Sequence, residues 1–348
     1  MTSPSGTAAT EYARAGVNLA RADAAKARIG RAVATTRTAL SLGEVGAFGG
    51  MVRVPAGLRS PVLVMSTDGV GTKVLVALEA GRLGSVGEDL VNHSANDILV
   101  HGATPIAFMD YVAGAALGVE QLAEIVDGVA RACRNHGMAL AGGETAQMPG
   151  LYQPGHFDLA GTIIGVVEED RALHGDRVAP GDVLLAYAST GLHTNGYTLA
   201  RRVLFERMGL RLDAILGDTG QPVADALLAV HRSYVASVMP VIDQMHGIAH
   251  ITGGGIAGNL ARILPPGTAA TVDSDSWELP PLFRILQQGG GLSTDEMREV
   301  FNLGVGLIAV LPPDAVDAAW QAAAADGVTA WVLGRIERGD RTVRFAPA

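Results

Sequence analysis

The chain alternates short apolar runs with polar, glycine-bearing turns, and the period of its apolar positions changes from run to run. Val62, Leu63, Val64 and Met65 form a continuous run that reads as a buried strand within 61–66. From 90 to 101 the period is helical. At 100° per residue Leu90, Val91, Ala95, Ile98 and Leu99 share one half of a helix, and His93, Asp97 and His101 line its polar edge. After Gly102 and Pro105 a second strand is expected at 106–112, then an amphipathic helix at 119–136, a short strand at 138–141 and a central strand at 157–167. Between the last two, 142–155 reads as one long loop, and loops of that length inside a domain are usually functional. The glycine-dense residues 41–50 read as an exposed loop or hairpin.

A charged segment at 168–177, leading to Pro180 and Gly181, marks a boundary, after which the pattern restarts. Strands are expected at 183–187, 248–251, 305–311 and 329–336. Helices are expected at 197–208, in two stretches across 222–245, and at 256–263, 280–288, 294–300 and 313–326. The pattern predicts a disordered lead at 1–10 and two domains, 11–172 and 173–348, of α/β or α+β layers.

Three of the turns carry chemistry. Ser66-Thr67-Asp68-Gly69-Val70-Gly71-Thr72-Lys73 follows a strand and combines a carboxylate, hydroxyls, a lysine and two glycines. Such a set can hold a metal-bound polyphosphate, although an ordinary tight turn has the same glycines. It is not the GxxxxGK[ST] phosphate loop, because Thr72 precedes Lys73. Residues 189–196 and Thr252-Gly253-Gly254-Gly255 repeat the strand–turn–helix arrangement, whose free amides favour anions. Together with the loop around Glu144 they suggest a cleft for more than one phosphate. His93, Asp97 and His101, spaced by four, could also present three metal ligands, but zinc sites normally draw on more than one element.

Composition narrows this picture. The 348 residues suffice for two ordinary domains. Hydrophobic content is 48% with 45 glycines, and no window of eighteen apolar residues supports a membrane span. The N-terminus lacks the apolar core of a signal peptide, so a cytoplasmic protein is expected. A net charge of −9 argues against broad nucleic-acid binding but not against a phosphorylated small molecule. The single cysteine, Cys133, excludes a disulfide framework and reads as a buried, inert thiol.

The ordered set Asp68–Lys73, Asn96-Asp97-Ile98, Gly142-Gly143-Glu144-Thr145-Ala146-Gln147-Met148-Pro149-Gly150, His193-Thr194-Asn195-Gly196-Tyr197, Thr252–Gly255 and Phe301-Asn302-Leu303-Gly304-Val305-Gly306 resembles the phosphoribosylformylglycinamidine cyclo-ligase (AIR synthetase) family. Tyr12–Asn18 resembles that family's N-terminal segment, with Asn18 in place of its usual aspartate; Gln147 stands where it often has glutamate, and Thr190-Gly191-Leu192 replaces serine-glycine-proline. The resemblance spans about residues 12 to 336. It implies a homodimer of two-domain chains, the N-terminal sheets pairing into a barrel. It also implies use of ATP and Mg²⁺ to phosphorylate the formyl amide oxygen of formylglycinamidine ribonucleotide, after which an amidine nitrogen closes the imidazole ring. On that reading Asp68 and Asp97 are metal ligands, with Glu144 either a ligand or, with Thr145, a substrate contact. Lys73 neutralises phosphate; Gly69, Val70, Gly71 and Thr72 form the phosphate turn; and Thr252, Gly253, Gly254 and Gly255 hold either the substrate 5′-phosphate or an ATP phosphate. His193, Asn195 and His250 lie near the ring-closing chemistry.

The same superfamily includes kinases. A selenide kinase would need an N-terminal cysteine, and the hydrogenase maturation relative a C-terminal one; this chain has neither. The glutamine-dependent amidotransferase is longer or relies on partner subunits. A thiamine monophosphate kinase is the nearest enzymatic alternative, and a non-catalytic nucleotide-binding scaffold the alternative of another class.

Overall fold

The computed structural model describes residues 19–43, 49–115 and 117–346, with the side chains of 19–23 left aside. The lead at 1–10 and the Tyr12–Asn18 segment lie outside the described residues. Helix α1 (Leu19–Ala34) precedes a two-residue ladder of β1 (Ser41–Leu42) with β2 (Met51–Val52). The first sheet has the order β3-β6-β4-β5, from β3 (Pro61–Gly69), β4 (Thr104–Gly114), β5 (Ala139–Gln147) and β6 (Phe157–Glu168). Its helices are α2 (Lys73–Ala80), α3 (Gly84–Leu99) and α4 (Val119–Asn135).

The helical stripe of α3 is buried as its period requires, with Leu90, Val91, Ala95, Ile98 and Leu99 fully enclosed. α3 and α4 approach so closely that a Cβ on Gly87 would stand 2.2 Å from the Ile125 carbonyl oxygen. The strand at 61–66 is real but not buried. β3 is an edge strand, and Val62, Leu63 and Met65 are 36%, 49% and 64% exposed. The long loop expected at 142–155 is also corrected, since β5 runs to Gln147, paired in parallel with β4. Its sequence, rich in glycine and alanine, carries no strand period, so pairing with β4 decides its conformation.

The second sheet has the order β12-β9-β11-β7-β10-β8, from β7 (Val183–Ala188), β8 (Gly247–His250), β9 (Thr268–Val272), β10 (Val305–Leu311), β11 (Ala330–Arg338) and β12 (Val343–Phe345). β9 and β12 are additions to the expected strands. All seven residues of β10 are buried, because helices or loops cover both faces of a central strand. Most pairings in both sheets are antiparallel, which makes the layers α+β. The helices are α5 (Tyr197–Arg201, continued by a π turn over Arg202–Arg207), α6 (Val223–Leu228), α7 (Val235–Val238), α8 (Gly255–Leu260), α9 (Pro281–Gly290), α10 (Thr294–Val300) and α11 (Val316–Ala325). No described helix is long and apolar enough to cross a membrane. Between α6 and α7 the chain leaves helix at Ala229, and this break carries His231.

Candidate active site

Five pieces of chain meet where the two sheets' layers join: the end of β3, the inner face of α3, the turn after β7, the break between α6 and α7, and the end of β8. Each piece supplies at least one polar side chain to a buried cluster, and β3 and α3 supply two each. Asp68 ends β3, and its Oδ2 lies 2.9 Å from His93 Nε2 on α3. His93 Nδ1 lies 2.7 Å from Thr194 Oγ1, which is 3.3 Å from His231 Nδ1. His231 Nε2 is 3.1 Å from His250 Nε2, and His250 Nδ1 is 2.8 Å from Asp97 Oδ1. The Ser66 hydroxyl donates to the other Asp97 oxygen at 3.1 Å. The α3 spacing of four that suggested a metal triad thus brings in His93 and Asp97 but not His101, whose Nδ1 faces the Leu173 carbonyl instead.

Asp68, His93, Asp97 and His250 line a cavity of about 540 Å³ whose other wall carries Thr252 and Arg262. His193 and His231 stand behind it. Their rings stack at 4.0 Å, and both are essentially unexposed. His193, expected near the chemistry, therefore does not reach the cavity. Its Nε2 accepts the Thr190 amide, its Nδ1 has no partner, and its backbone is held at φ 60°. Asn195 lies beside Gly253 with its amide nitrogen buried and unpartnered. Gly255 permits a close crossing, since a Cβ there would stand 1.9 Å from the Arg298 carbonyl oxygen, and Asn259 Nδ2 ties down the Thr252, Gly253 and Gly255 carbonyls.

Lys73 requires the plainest correction. It has no exposed surface, so it offers nothing to a phosphate. Its ammonium pairs with Asp89 at 2.7 Å and donates to the carbonyls of Ala229 at 2.7 Å and His193 at 3.3 Å. Asp89 in turn accepts the His231 amide at 2.7 Å. The phosphate turn shrinks as well, because the Val70 amide bonds the Leu159 carbonyl and the Gly69 amide bonds the Asp68 carboxylate. Gly71 and Thr72 remain on the surface, with Thr72 bridged to Thr198 at 3.0 Å.

Glu144 and Thr145 are not part of this cluster. Asp68, Gly161, Asp110 and Gly143 form one cross-strand row, which puts Glu144 about 14 Å from Asp68 at three strand spacings. Glu144 and Thr145 line a second cavity of about 670 Å³ with Asp110, whose carboxyl is pushed up to about 7 by burial. The glycine at 143 has a local cause: a Cβ there would stand 2.1 Å from Asp110 Oδ1. A single ligand set of Asp68, Asp97 and Glu144 within one chain is thus at odds with the geometry.

Burial opposes charge throughout the cluster. It holds the His193 and His231 pKa well below the ordinary value, and lowers that of His250 despite Asp97. His93 goes the other way, because the Asp68 hydrogen bond and the neighbouring carboxylates outweigh its burial. Burial would raise Asp97, but His250 and His93 hold it down at about 2. Unfolded, all four histidines titrate near 6.5. Below that pH the unfolded chain binds protons that the three depressed histidines refuse, so stability falls on acidification; His93 offsets one of the three. Asp110, pushed up to about 7, takes up a proton in the folded chain over the same range and opposes this loss, so acidification from pH 7.5 to 5.5 should lower the denaturant midpoint in an Asp110→Asn background. Equal midpoints would mean that the cluster takes up protons without unfolding.

Sequence reasoning missed His231 and gave Thr194 no role. The only local signal at His231 is a histidine closing the apolar run 226–230.

Comparison with known proteins now adds to this geometry. Residues 51–167 match the family described as AIR synthase related protein, N-terminal domain, and residues 179–346 match its C-terminal domain. The fold alone is shared with a thiamine-monophosphate kinase from Stenotrophomonas maltophilia (TM-score 0.66, 20% identity, 92% of this chain and 95% of that one) and with a hydrogenase maturation protein in complex with ATP (TM-score 0.63, 22% identity, 90% and 88%). These features define a two-domain AIR synthase-related protein. Within that class, the chain is 46% identical over 329 residues to the phosphoribosylformylglycinamidine cyclo-ligase of Sorangium cellulosum, covering 93% of this chain and 94% of that one. It is 46% identical over 333 residues to the Myxococcus xanthus enzyme of the same name, covering 95% and 96%. The chain belongs to the phosphoribosylformylglycinamidine cyclo-ligase family.

Proposed function

We propose that this enzyme converts formylglycinamidine ribonucleotide and ATP to 5-aminoimidazole ribonucleotide, ADP and phosphate in the cavity between Asp68 and Thr252, as a step of purine synthesis. The observation that carries the reading is near-half identity to cyclo-ligases over almost the full chain. The formyl amide oxygen attacks the γ-phosphorus of ATP and ADP leaves. An amidine nitrogen then attacks the activated carbon, the C–O bond breaks, phosphate departs, and one proton is released. Phosphoryl transfer of this kind calls for positioning and charge neutralisation, not for an enzyme nucleophile.

Asp68 and Asp97 suit Mg²⁺: both are hard oxygen donors on the cavity wall, partly exposed, and Asp97 stays ionised at any working pH. Bound there, Mg²⁺ would neutralise phosphate charge. His250 is the imidazole that both lines the cavity and is favoured neutral by burial, which suits it to the proton released on ring closure. Arg262 and Thr252 supply the anion end of the same cavity. Glu144 and Thr145 would serve a ligand only in the second cavity. Self-association of the first sheet is supported by the unpaired, apolar edge of β3, where Val62, Leu63 and Met65 are exposed. Light scattering should give the mass of two chains. A cytoplasmic location follows from the nucleotide substrates.

The assay is ADP release by the purified chain. It should require formylglycinamidine ribonucleotide, with aminoimidazole ribonucleotide formed in step. ADP release with thiamine monophosphate instead, or with neither compound, would overturn the assignment.

A further inference from the structure

Asp68 on β3, His93 and Asp97 on α3 and His250 at the end of β8 face one cavity, and together they offer two imidazole nitrogens and two carboxylates. His93 Nε2 stands 2.9 Å from Asp68 Oδ2 and 3.8 Å from Asp97 Oδ2, and His250 Nδ1 stands 2.8 Å from Asp97 Oδ1. The donor atoms of His93, Asp97 and His250 all lie within 4.8 Å of one another. A Zn²⁺ ion sits about 2.0–2.2 Å from nitrogen and carboxylate ligands, which in tetrahedral geometry spaces neighbouring donors by about 3.3 Å. The observed contacts bracket that spacing, so a cation can take the place of these hydrogen bonds. The far side of each ligand is already tied. His93 Nδ1 lies 2.7 Å from Thr194 Oγ1, His250 Nε2 lies 3.1 Å from His231 Nε2, and the Ser66 hydroxyl holds Asp97 Oδ2. Outer partners of this kind orient metal-ligating side chains.

We propose that Asp68, His93, Asp97 and His250 form a binding site for a borderline divalent cation, Zn²⁺ in particular. Carboxylates alone suit Mg²⁺, whereas added imidazole nitrogens raise affinity for Zn²⁺ far more than for Mg²⁺. The spacing of four on α3 contributes two of the ligands, and His101 is not the third, since its Nδ1 faces the Leu173 carbonyl. β3 and β8 complete the set instead, and zinc sites normally draw on more than one element in this way. A Zn²⁺ held by four side chains keeps no open position for a phosphate, so it excludes Mg²⁺ from Asp68 and Asp97 and slows turnover. That last effect rests on the cyclisation reading, whereas the site itself does not.

The test takes the untagged full chain, stripped of metal with a chelator, and titrates it calorimetrically with Zn²⁺ and, separately, with Mg²⁺, both without nucleotide. One equivalent of Zn²⁺ should bind at least about tenfold more tightly than Mg²⁺. Co²⁺ in its place should give the intense visible absorption of a four-coordinate site. His93→Gln and His250→Gln should each abolish that absorption and bring Zn²⁺ binding towards that of Mg²⁺, whereas His101→Gln should leave both unchanged. Circular dichroism checks that the variants fold, and the wild-type comparison of the two cations stands without them. Equal affinity for Zn²⁺ and Mg²⁺, tight binding that survives His93→Gln or His250→Gln, loss of binding in His101→Gln, or full turnover by the zinc-loaded chain would overturn the proposal. Zinc held through both histidines by a chain without cyclase activity would support the site and count against the functional reading alone.

Discussion

Asp97→Asn should lower turnover at least about 10²-fold, on the order of 2.7 kcal/mol in the barrier, and Asp68→Asn should do the same. The substitution is conservative in shape. An asparagine at 97 can still offer its carbonyl oxygen to His250 Nδ1 and its amide to the Ser66 hydroxyl, so the wall of the cavity is kept while the charge is lost. At 68, an asparagine oxygen can accept from His93 Nε2 in the same way. A fall in kcat with unchanged circular dichroism would assign the loss to charge. Near-normal rates in both variants would remove the two carboxylates from the metal role while leaving the family membership intact.

Lys73→Met should act on stability, costing about 3–5 kcal/mol, because it strands the Asp89 carboxylate in a site without solvent. Burial lowers the Lys73 pKa and raises that of Asp89, and each partner pulls the other back. Neither charge is tolerable without the other. The double variant Lys73→Met, Asp89→Asn should regain a large part of the loss, since the asparagine oxygen can still accept the His231 amide. Denaturant midpoints of wild type, single and double variants decide this. A single variant as stable as the wild type would show that the pair contributes nothing. Phosphate binding by Lys73 would instead have predicted a rise in KM for ATP with no loss of stability.

Much of the fold could be read from local pattern. The stripe of α3 and the run at 305–311 announce a helix and a central strand because their burial follows their own period. β5 could not be read in this way. Gly142 to Gln147 have no strand signature and become a strand through the neighbouring β4. For the site, sequence identified the right loops but could not assign their direction. Asp68 and Lys73 sit five residues apart in one motif, yet the strand end turns one towards the cavity and the helix start turns the other into the interior. The same limit explains Glu144, whose motif is intact but which the strand order carries three strands away. His231 depends on contacts from three other segments, α3, the turn after β7 and the end of β8, and a position of that kind leaves little local trace.

The Lys73 ammonium joins α2 of the first layer to the carbonyls of His193 and Ala229 in the second. Separating the layers there would expose an ammonium and a carboxylate that are matched only to each other and to those carbonyls. The junction therefore behaves as a weld and not as a hinge. The exposed rim of the cavity, at His101, His174 and Arg262, is an opening that leaves this junction closed. Changes at that rim should tune access without touching the histidine cluster behind it.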